Sequence, residues 1–382
     1  MSAEITLIIT LSIILLISPF ISNILKLPIS MVEMGLGSLA AAFGFLHHNE
    51  IFSLLAEIGF LYLMLLAGME VDLKDILKLG KSIYKKAFLF LLFLYLLSFL
   101  VIYAFHFSLV FVVILPLISI GLLLSIQQEV GKTSWLDLAI KVGVIGELLS
   151  ILVLTIISGY FEVGFSAKLF FNIFILFLFI ATLAFVFLMF RTLLWWYPQL
   201  KLYLMPRKDR YYQDVRIAMS LFFIMIAIMI TLHLDVVLGA FVVGVFLRTF
   251  FDHNHDLEKK LAPFGFGFLI TIFFVYVGSN IDIFKINFSM ILDVLKITFL
   301  MIGIRVVSAF VFFKELKKDT ILFGLSLSMP LTLMIATATL AYQNHKLDEY
   351  WYTILVTASV IEVLVVMLGV KVINKLQFHK KG

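Results

Sequence analysis

Residues 141–159 read KVGVIGELLSILVLTIISG, and Glu147 is the one ionisable side chain between Val142 and Ser158. Every other residue in that interval is apolar, glycine or a hydroxyl residue. An apolar run of this length approaches the ~20 residues that a helix needs to cross a bilayer. The stretch therefore predicts a membrane-spanning helix that carries a carboxylate inside it.

The composition of the whole chain indicates the same environment. Of the 382 residues, 63% are hydrophobic and 14% are charged, and the mean hydropathy is +1.14. A soluble domain carries about 25% charged residues, and the alternating strand pattern of a membrane barrel is absent. We predict an all-α, polytopic membrane protein. Cysteine is absent, which excludes disulfides and thiolate metal sites.

About thirteen apolar segments recur along the chain, and each predicts a transmembrane helix. They lie at roughly 5–22, 29–46, 51–70, 87–106, 109–127, 135–159, 167–190, 215–232, 234–250, 262–279, 289–313, 319–343 and 350–372. Loops after odd-numbered segments, with the C-terminal tail, hold 23 of the 29 Lys and Arg residues, whereas the opposite loops hold three. By the positive-inside rule, we expect the N-terminus outside and the C-terminus in the cytoplasm. The net charge of +5 then reflects topology rather than binding to nucleic acid.

The order of the segments predicts an internal symmetry. When segment 7 is set aside as a linker, six segments precede it and six follow it. Seven spans then separate equivalent positions, so the two halves insert with opposite orientation, as in the inverted repeats of secondary transporters. The predicted organisation is repeat one at about 5–160, a linker helix at about 167–190 with loop 191–214, and repeat two at about 215–375.

Matching features of the two halves support the repeat. Segment 5 carries Pro116 and segment 12 carries Pro330. Proline interrupts helical hydrogen bonding, and paired broken helices mark binding sites near the middle of the membrane. The segments that follow, 6 and 13, each carry an isolated acid, Glu147 and Glu362. The alternative is chance, because prolines and single acids do occur in spans.

Glu147 lies near the membrane centre, about 18 Å along its segment from Trp135 at ~1.5 Å per residue. A charge there is costly unless it is paired, hydrated or neutralised by a proton. A carboxylate facing a water-filled cavity could hold either a proton or a cation. Gly143 and Gly146 permit a close helix crossing, and Ser150 can add an oxygen. The alternative is a permanently protonated acid bonded to a neighbouring helix.

Arg305 in segment 11 is a second buried charge, and it needs an acceptor because its proton is not lost at accessible pH. The candidates are Glu147, Glu362 and the carbonyls freed by the broken helices. Glu362 could pair with a cation or could be a protonated packing residue, and we favour the structural role.

The remaining charges in or near the spans are interpreted as structural. Asp137 and Lys141 are spaced to form an interfacial ion pair, and Lys296 is expected to extend to the membrane surface. Glu33 and Asp235 are isolated acids for which packing or helix-terminal roles are favoured.

No pattern in the sequence indicates an enzyme. There is no P-loop, no nucleophile elbow and no His pair at metal-binding spacing. The adjacent pair His47–His48 lies in a short predicted loop and is interpreted as solvated. We predict no cofactor and no metal centre. The chain ends in KLQFHKKG, so no soluble regulatory domain is expected.

Three stretches carry a family resemblance. AEIGFLYLMLLAGMEVDL at 56–73 is similar to "AEIG…LF..GLELD", and LGAFVVGVFL at 238–247 is similar to "LGAFLAGVLL". APFGFGFLITIFFVYVGSNIDI at 262–283 is similar to "PFKGLLLGLFFIAVGMSID". Over nearly its whole length the chain resembles the monovalent cation:proton antiporter-2 family, which includes bacterial sodium/proton antiporters and the membrane domains of potassium-efflux proteins.

The resemblance implies the sodium/proton antiporter fold: thirteen spans, inverted repeats, and broken helices that cross in segments 5 and 12. It also implies a homodimer in the bacterial inner membrane and transport by alternating access. Family members carry a polar–acid pair on segment 6, whose acid binds the ion and the proton. Here that pair reads Gly146–Glu147, so Glu147 inherits the role without a polar neighbour.

The resemblance also assigns the surrounding residues. The family's basic residue in segment 11 corresponds to Arg305. Its threonine at the break in segment 5 falls at Ile120, with Ser119 adjacent. In segment 12 this chain lacks the family's Gly-Glu pair, and Thr332 offers a hydroxyl instead.

The function implied is exchange of Na⁺ or K⁺ for H⁺. Because one acid and a permanently charged arginine cannot readily carry two protons per cation, we predict electroneutral 1:1 exchange. A channel-like or uniport cation pathway is a second hypothesis, and a membrane sensor or scaffold is a third. A divergent member could also move another solute. The expected partners are the cation, the proton, membrane lipid and a second copy of the chain.

Overall fold

In a computed structural model of the chain, all described regular structure is helical. The structure describes residues 3–25, 27–47, 49–71, 80–120, 123, 126, 131, 133–164, 166–197, 199, 212–234, 236–251, 256–281 and 287–378. These residues divide into two compact units. Unit 1 comprises Met1–Lys74 and Val163–Ile286, and unit 2 comprises Asp75–Glu162 and Asn287–Gly382.

Unit 1 is a bundle of helices from both halves of the chain. Its helices are α1 (Ala3–Leu25), α2 (Ile29–Ala42), α3 (Glu50–Glu70), α7 (Ala167–Trp196), α8 (Gln213–Leu232), α9 (Val236–Phe250), α10 (Asp256–Phe264) and α11 (Ile270–Ser279). A π-helical segment, Gly265–Leu269, joins α10 to α11. The closest packing in this unit joins α3 to α9 and α2 to α11.

Unit 2 is likewise helical and contains two interrupted spans. Its helices are α4 (Lys81–Phe105), α5 (Phe111–Ile114), α6 (Ser134–Val163), α12 (Phe288–Ala309), α13 (Phe313–Leu316), α14 (Thr320–Ser326), α15 (Leu331–Gln343) and α16 (Glu349–Phe378). Helix α12 packs against α4, α14 and α16, and α15 packs against α16.

Local sequence explains where several of these helices begin and end. The side chains of Asn49, Ser166 and Asn287 accept hydrogen bonds from backbone N–H groups in the first turns of α3, α7 and α12. Such caps satisfy donors that have no partner inside the helix. At the other end, α4 and α8 stop at His106 and His233, which adopt left-handed backbone conformations. The predicted ends of segments 4 and 8 therefore coincide with these two histidines.

Glycine allows the helices of unit 1 to approach closely. A Cβ atom on Gly68 of α3 would lie 2.1 Å from the carbonyl oxygen of Phe241 in α9, and one on Gly244 would lie 2.1 Å from that of Leu65. Only a residue without a side chain permits such contact. Small residues at helix crossings are typical of membrane bundles.

The all-α, polytopic prediction is confirmed. Within the described residues, nine helical stretches are long and apolar enough to cross a membrane, and α2 and α9 are shorter apolar helices. Segment 5 differs most from a continuous span, since its described helix is only Phe111–Ile114. The count of thirteen spans and the inverted repeat remain predictions.

Candidate functional site

Two interrupted spans of unit 2 lie at the centre of the candidate site. After α5 the chain is non-helical from Leu115 to Ile120, a stretch that contains Pro116. A second break, at 327–330, separates α14 from α15, and Pro330 caps the start of α15. Proline has no N–H to continue the hydrogen-bond ladder. Both prolines singled out from the sequence therefore lie at helix breaks.

Glu147 projects from α6 towards the first of these breaks and is 1% exposed. The Ser119 hydroxyl donates to its Oε1 atom across 3.1 Å, and the Ile120 backbone N–H is a further donor to the carboxylate. Its Oε2 atom has no hydrogen-bond partner among the described residues. A buried carboxylate oxygen without a donor is a suitable ligand for a proton or a small cation.

Thr332, which follows the second break, lies beside Ser119 of the first break. It lies in the first turn of α15, and its Oγ1 atom is 3.4 Å from the Ser119 Oγ atom. Glu147, Ser119 and Thr332 thus form a row of oxygens that runs from α6 to both broken spans. We call these three residues the oxygen row.

Ser150 holds the broken span in place. Its hydroxyl accepts a hydrogen bond of 3.1 Å from the Ile118 backbone N–H, a donor that the helix break leaves without a helical partner. The sequence interpretation placed Ser150 beside Glu147 as an additional oxygen for the ion. Its observed bond fastens the non-helical stretch to α6, one turn beyond Glu147.

An apolar side chain occupies the position beside Glu147. A Cβ atom on Gly146 would lie 2.6 Å from Cδ1 of Ile118, and one on Gly143 would lie 2.8 Å from Cγ2 of Ile120. The absence of side chains at both glycines therefore lets isoleucines of the broken span pack directly on α6. The sequence showed that the polar neighbour is missing, but not that Ile118 fills its place.

Arg305 and Glu362 form a second buried cluster, and both side chains are 0% exposed. The Arg305 Nη1 atom is 3.5 Å from Glu362 Oε1 and donates to the Met301 carbonyl at 2.9 Å. Its Nη2 atom donates to the Leu117 carbonyl of the broken span at 2.5 Å. Of the three kinds of acceptor left open by the sequence, the structure brings Glu362 and a freed carbonyl to Arg305. No described contact joins Arg305 to Glu147.

The other charged residues have simpler surroundings. Lys141 and Asp137 form an ion pair of 2.5 Å near the start of α6, with much of both side chains exposed. The Lys296 ammonium lies 4.5 Å from the ring centroid of Phe105, a cation–π contact the sequence did not predict. His47 is exposed, whereas His48 and Asp235 lie outside the described residues. Within the described part of the chain, no group of three or more metal-binding side chains occurs.

This arrangement can hold one monovalent cation or one proton. When Glu147 is ionised, the oxygen row carries one formal negative charge, and its two hydroxyls are neutral oxygens of the kind that can coordinate a small cation. Arg305 pairs with the buried Glu362 side chain and makes no described contact with Glu147, so it does not neutralise the Glu147 carboxylate. Interrupted helices that meet at a buried acid are the arrangement found at the binding sites of secondary transporters.

Comparison with known proteins identifies the family. The model of the transmembrane sodium/hydrogen exchanger family matches residues 10–375, and the chain belongs to this family. In fold, it is similar to the solved structure of the sodium proton antiporter MjNhaP1 from Methanocaldococcus jannaschii at pH 8, with a TM-score of 0.68 and 15% identity. That alignment covers 97% of this chain and 98% of the other, and at this identity the likeness concerns the fold alone.

Three curated relatives are similar in sequence. YjbQ of Bacillus subtilis is 24% identical over 88% of this chain, which spans only 57% of the length of YjbQ. Antiporter 3 of Methanocaldococcus jannaschii is 26% identical, with 87% of each chain covered. The names of both mark Na(+)/H(+) antiport as an inferred assignment. The Na(+)/H(+) antiporter of Enterococcus hirae is 24% identical, with 88% of each chain covered.

Proposed function

We propose that this protein exchanges a monovalent cation, Na⁺ or K⁺, for H⁺, with Glu147 as the shared binding residue. The observation that carries the proposal is the oxygen row. Its buried carboxylate has one oxygen that receives no hydrogen bond among the described residues, and its two hydroxyls lie on the broken spans. Membership of the sodium/hydrogen exchanger family supports the reaction class.

Exchange follows from occupancy of a single acid. A proton and a cation cannot both neutralise the same carboxylate, so binding of one displaces the other. An ionised carboxylate without a bound ion is costly inside the membrane. The site therefore switches between the two sides of the membrane only when it holds a cation or a proton. Alternating access with one acid then moves one proton for one cation.

The setting of this exchange is also a proposal. The sequence resemblance and the charge asymmetry of the loops support a homodimer in a bacterial inner membrane, with the N-terminus outside and the C-terminus in the cytoplasm. In this arrangement Ser119 and Thr332 are ion ligands, and Ser150 positions the broken span. Arg305 and Glu362 are the charge-compensating pair next to that span.

The deciding experiment is cation-driven proton movement in proteoliposomes, followed with an entrapped pH dye. Wild-type protein should change internal pH when Na⁺ or K⁺ is added, with Li⁺ as a third test ion. Glu147→Gln, which keeps the shape of the side chain but not its charge, should abolish this change. Asp137→Asn is the matched control, because Asp137 is an exposed acid on the same helix.

Two results would contradict the proposal. Undiminished exchange by Glu147→Gln would remove Glu147 from the mechanism. Cation flux without proton movement, measured with the potential clamped and no proton ionophore, would mean a channel-like pathway instead of an antiporter.

A further inference from the structure

Glu33 is a buried acid that the oxygen row does not use. It lies on α2 in unit 1, five residues into the helix, and is 2% exposed. Glu147 and all residues around it belong to unit 2. The sequence analysis favoured a packing role for Glu33 and named no partner for it.

Its partner in the structure is Thr271, in the first turn of α11. The Thr271 Oγ1 atom is 2.8 Å from Glu33 Oε1 and 2.9 Å from the backbone carbonyl oxygen of Phe266. Phe266 belongs to the π-helical segment that precedes α11. Such segments are frequent at functional positions in helices.

The proton count of this chain of three groups decides the state of Glu33. A threonine hydroxyl carries one proton and can donate one hydrogen bond. An ionised carboxylate and a carbonyl are both acceptors, so one of the two contacts would lack a proton. If Glu33 carries a proton, its O–H donates to Thr271, and Thr271 donates to Phe266. Every short contact is then a hydrogen bond.

The charges around Glu33 favour the same state. The helices packed against α2 and the π segment carry a set of titratable residues: Glu4 on α1, Glu50, Glu57, Tyr62 and Glu70 on α3, Glu258, Lys259 and Lys260 on α10, and Tyr276 on α11. Across the described residues, none of the basic side chains forms an ion pair with Glu33. An ionised carboxylate buried without a cationic partner costs several kcal/mol, roughly, and a proton removes that cost.

Glycine contacts close the space around the group. A Cβ atom on Gly37 of α2 would lie 2.3 Å from the Val275 carbonyl oxygen, and one on Gly278 would lie 2.0 Å from that of Met34. A Cβ atom on Gly59 of α3 would lie 2.1 Å from the carbonyl of Leu269 in the π segment. The helical segments that carry Glu33, Thr271 and Phe266 are therefore packed in direct contact with neighbouring backbone.

We propose that Glu33 is a second intramembrane proton-binding site, separate from Glu147, whose proton is donated to the Thr271 hydroxyl, which in turn donates to the Phe266 carbonyl. The ligand is a proton and not a metal cation, because the hydrogen-bond chain already engages Glu33 Oε1, Thr271 Oγ1 and the Phe266 carbonyl oxygen and leaves only Glu33 Oε2 outside it. The proposal does not depend on cation exchange at Glu147.

Infrared difference spectroscopy of purified protein tests this directly, since only a protonated carboxyl gives a carboxylic C=O stretching band. Glu147→Gln is the reference, so that Glu147 cannot contribute. At neutral pH the double variant Glu147→Gln/Glu33→Gln should lack one carboxylic band that the reference shows. Glu147→Gln/Glu57→Gln is the matched control, because Glu57 is exposed on α3; its spectrum should keep the band.

Two further measurements sharpen the result. Thr271→Val, which removes the acceptor of the Glu33 proton, should shift the band, whereas Thr271→Ser should leave it in place. Absence of a Glu33-dependent band at neutral pH would overturn the proposal. Loss of that band on adding Na⁺ or K⁺ at constant pH would overturn it too, because the site would then take a cation. Neither result would bear on exchange at Glu147.

Discussion

The described polar side chains that neighbour Glu147 are hydroxyl groups, and no second acid among them doubles the charge of the site. Ser119 donates to it directly, Thr332 extends the row, and Ile118 fills the volume next to Gly146. In the proposed exchange, the neutral oxygens contribute affinity for the cation and the carboxylate contributes charge. Removing a hydroxyl should weaken cation binding without removing the proton site, which separates the two roles.

We expect Ser119→Ala to raise the apparent KM for the cation by about tenfold, since a hydrogen bond or ligand to a charged group contributes about 1.5 kcal/mol or more. Thr332→Val should have a smaller effect, because Thr332 contacts Ser119 and no bond from it to Glu147 is found. Ser98→Ala is the control: Ser98 is a buried serine of unit 2 that bonds to its own helix at Leu94. Rates of proteoliposome exchange against cation concentration give the values. An unchanged KM in Ser119→Ala would exclude it as a ligand.

At the scale of elements, Arg305 connects α12 to α16 through Glu362 and to the broken span through the Leu117 carbonyl. A guanidinium suits this position because it donates in two directions at once and keeps its charge. Its removal leaves both a buried carboxylate and a backbone carbonyl without a partner.

We expect Arg305→Ala to lower the free energy of unfolding by about 3–5 kcal/mol, the usual effect of breaking a buried ion pair. Arg305→Ala/Glu362→Ala should recover part of that loss, because no unpaired charge remains. Transport should stay impaired in both, since the Leu117 carbonyl still lacks its donor. Thermal unfolding in detergent, followed by tryptophan fluorescence, gives the comparison. A double variant less stable than the sum of the single effects would contradict this account.

Element by element, the sequence predicted spans well and partners poorly. Apolar runs and prolines predicted the helices and the breaks at Pro116 and Pro330, because both signals are local. The choice of Glu362 and the Leu117 carbonyl by Arg305 could not be predicted, since it depends on which helices meet. The placement of Ile118 against Gly146 depends on the same tertiary packing.

The crossing of α2 and α11 offers a matched pair of glycines. Gly37→Ala should destabilise the protein by about 1–3 kcal/mol, the usual cost of overpacking, because its Cβ atom would lie 2.3 Å from the Val275 carbonyl oxygen. Gly35→Ala, two residues earlier, meets nothing within 4 Å and should be neutral or stabilising by up to about 1 kcal/mol. Thermal unfolding of the two purified variants is the measurement. Equal stability of the two variants would mean that α2 and α11 can move apart to admit the methyl group with little loss of stability.

At the scale of the whole molecule, the two units mix the proposed repeats. Unit 1 contains predicted segments 1–3 and 8–10 with the linker, and unit 2 contains segments 4–6 and 11–13. Three segments of each repeat in each unit is the division that an inverted repeat would give. Unit 2 gathers all members of the oxygen row and the Arg305–Glu362 pair. In the proposed exchange, the charge that crosses the membrane with the substrate is therefore set by groups of one compact unit.

In the proposed mechanism that charge is set by one exchangeable carboxylate, Glu147, and this predicts how exchange depends on pH. As pH falls, protons occupy more of Glu147, so the apparent KM for the cation should rise while the maximal rate at saturating cation stays constant. By linkage, displacement of one proton per cation gives a slope of about −1 in log KM against pH, and two protons would give about −2. A potential-sensitive dye in the same proteoliposomes should show no voltage during exchange. A slope near −2, or a membrane potential generated by a cation gradient, would mean that a second acid travels protonated with Glu147, and Glu362 would be the first residue to replace with glutamine.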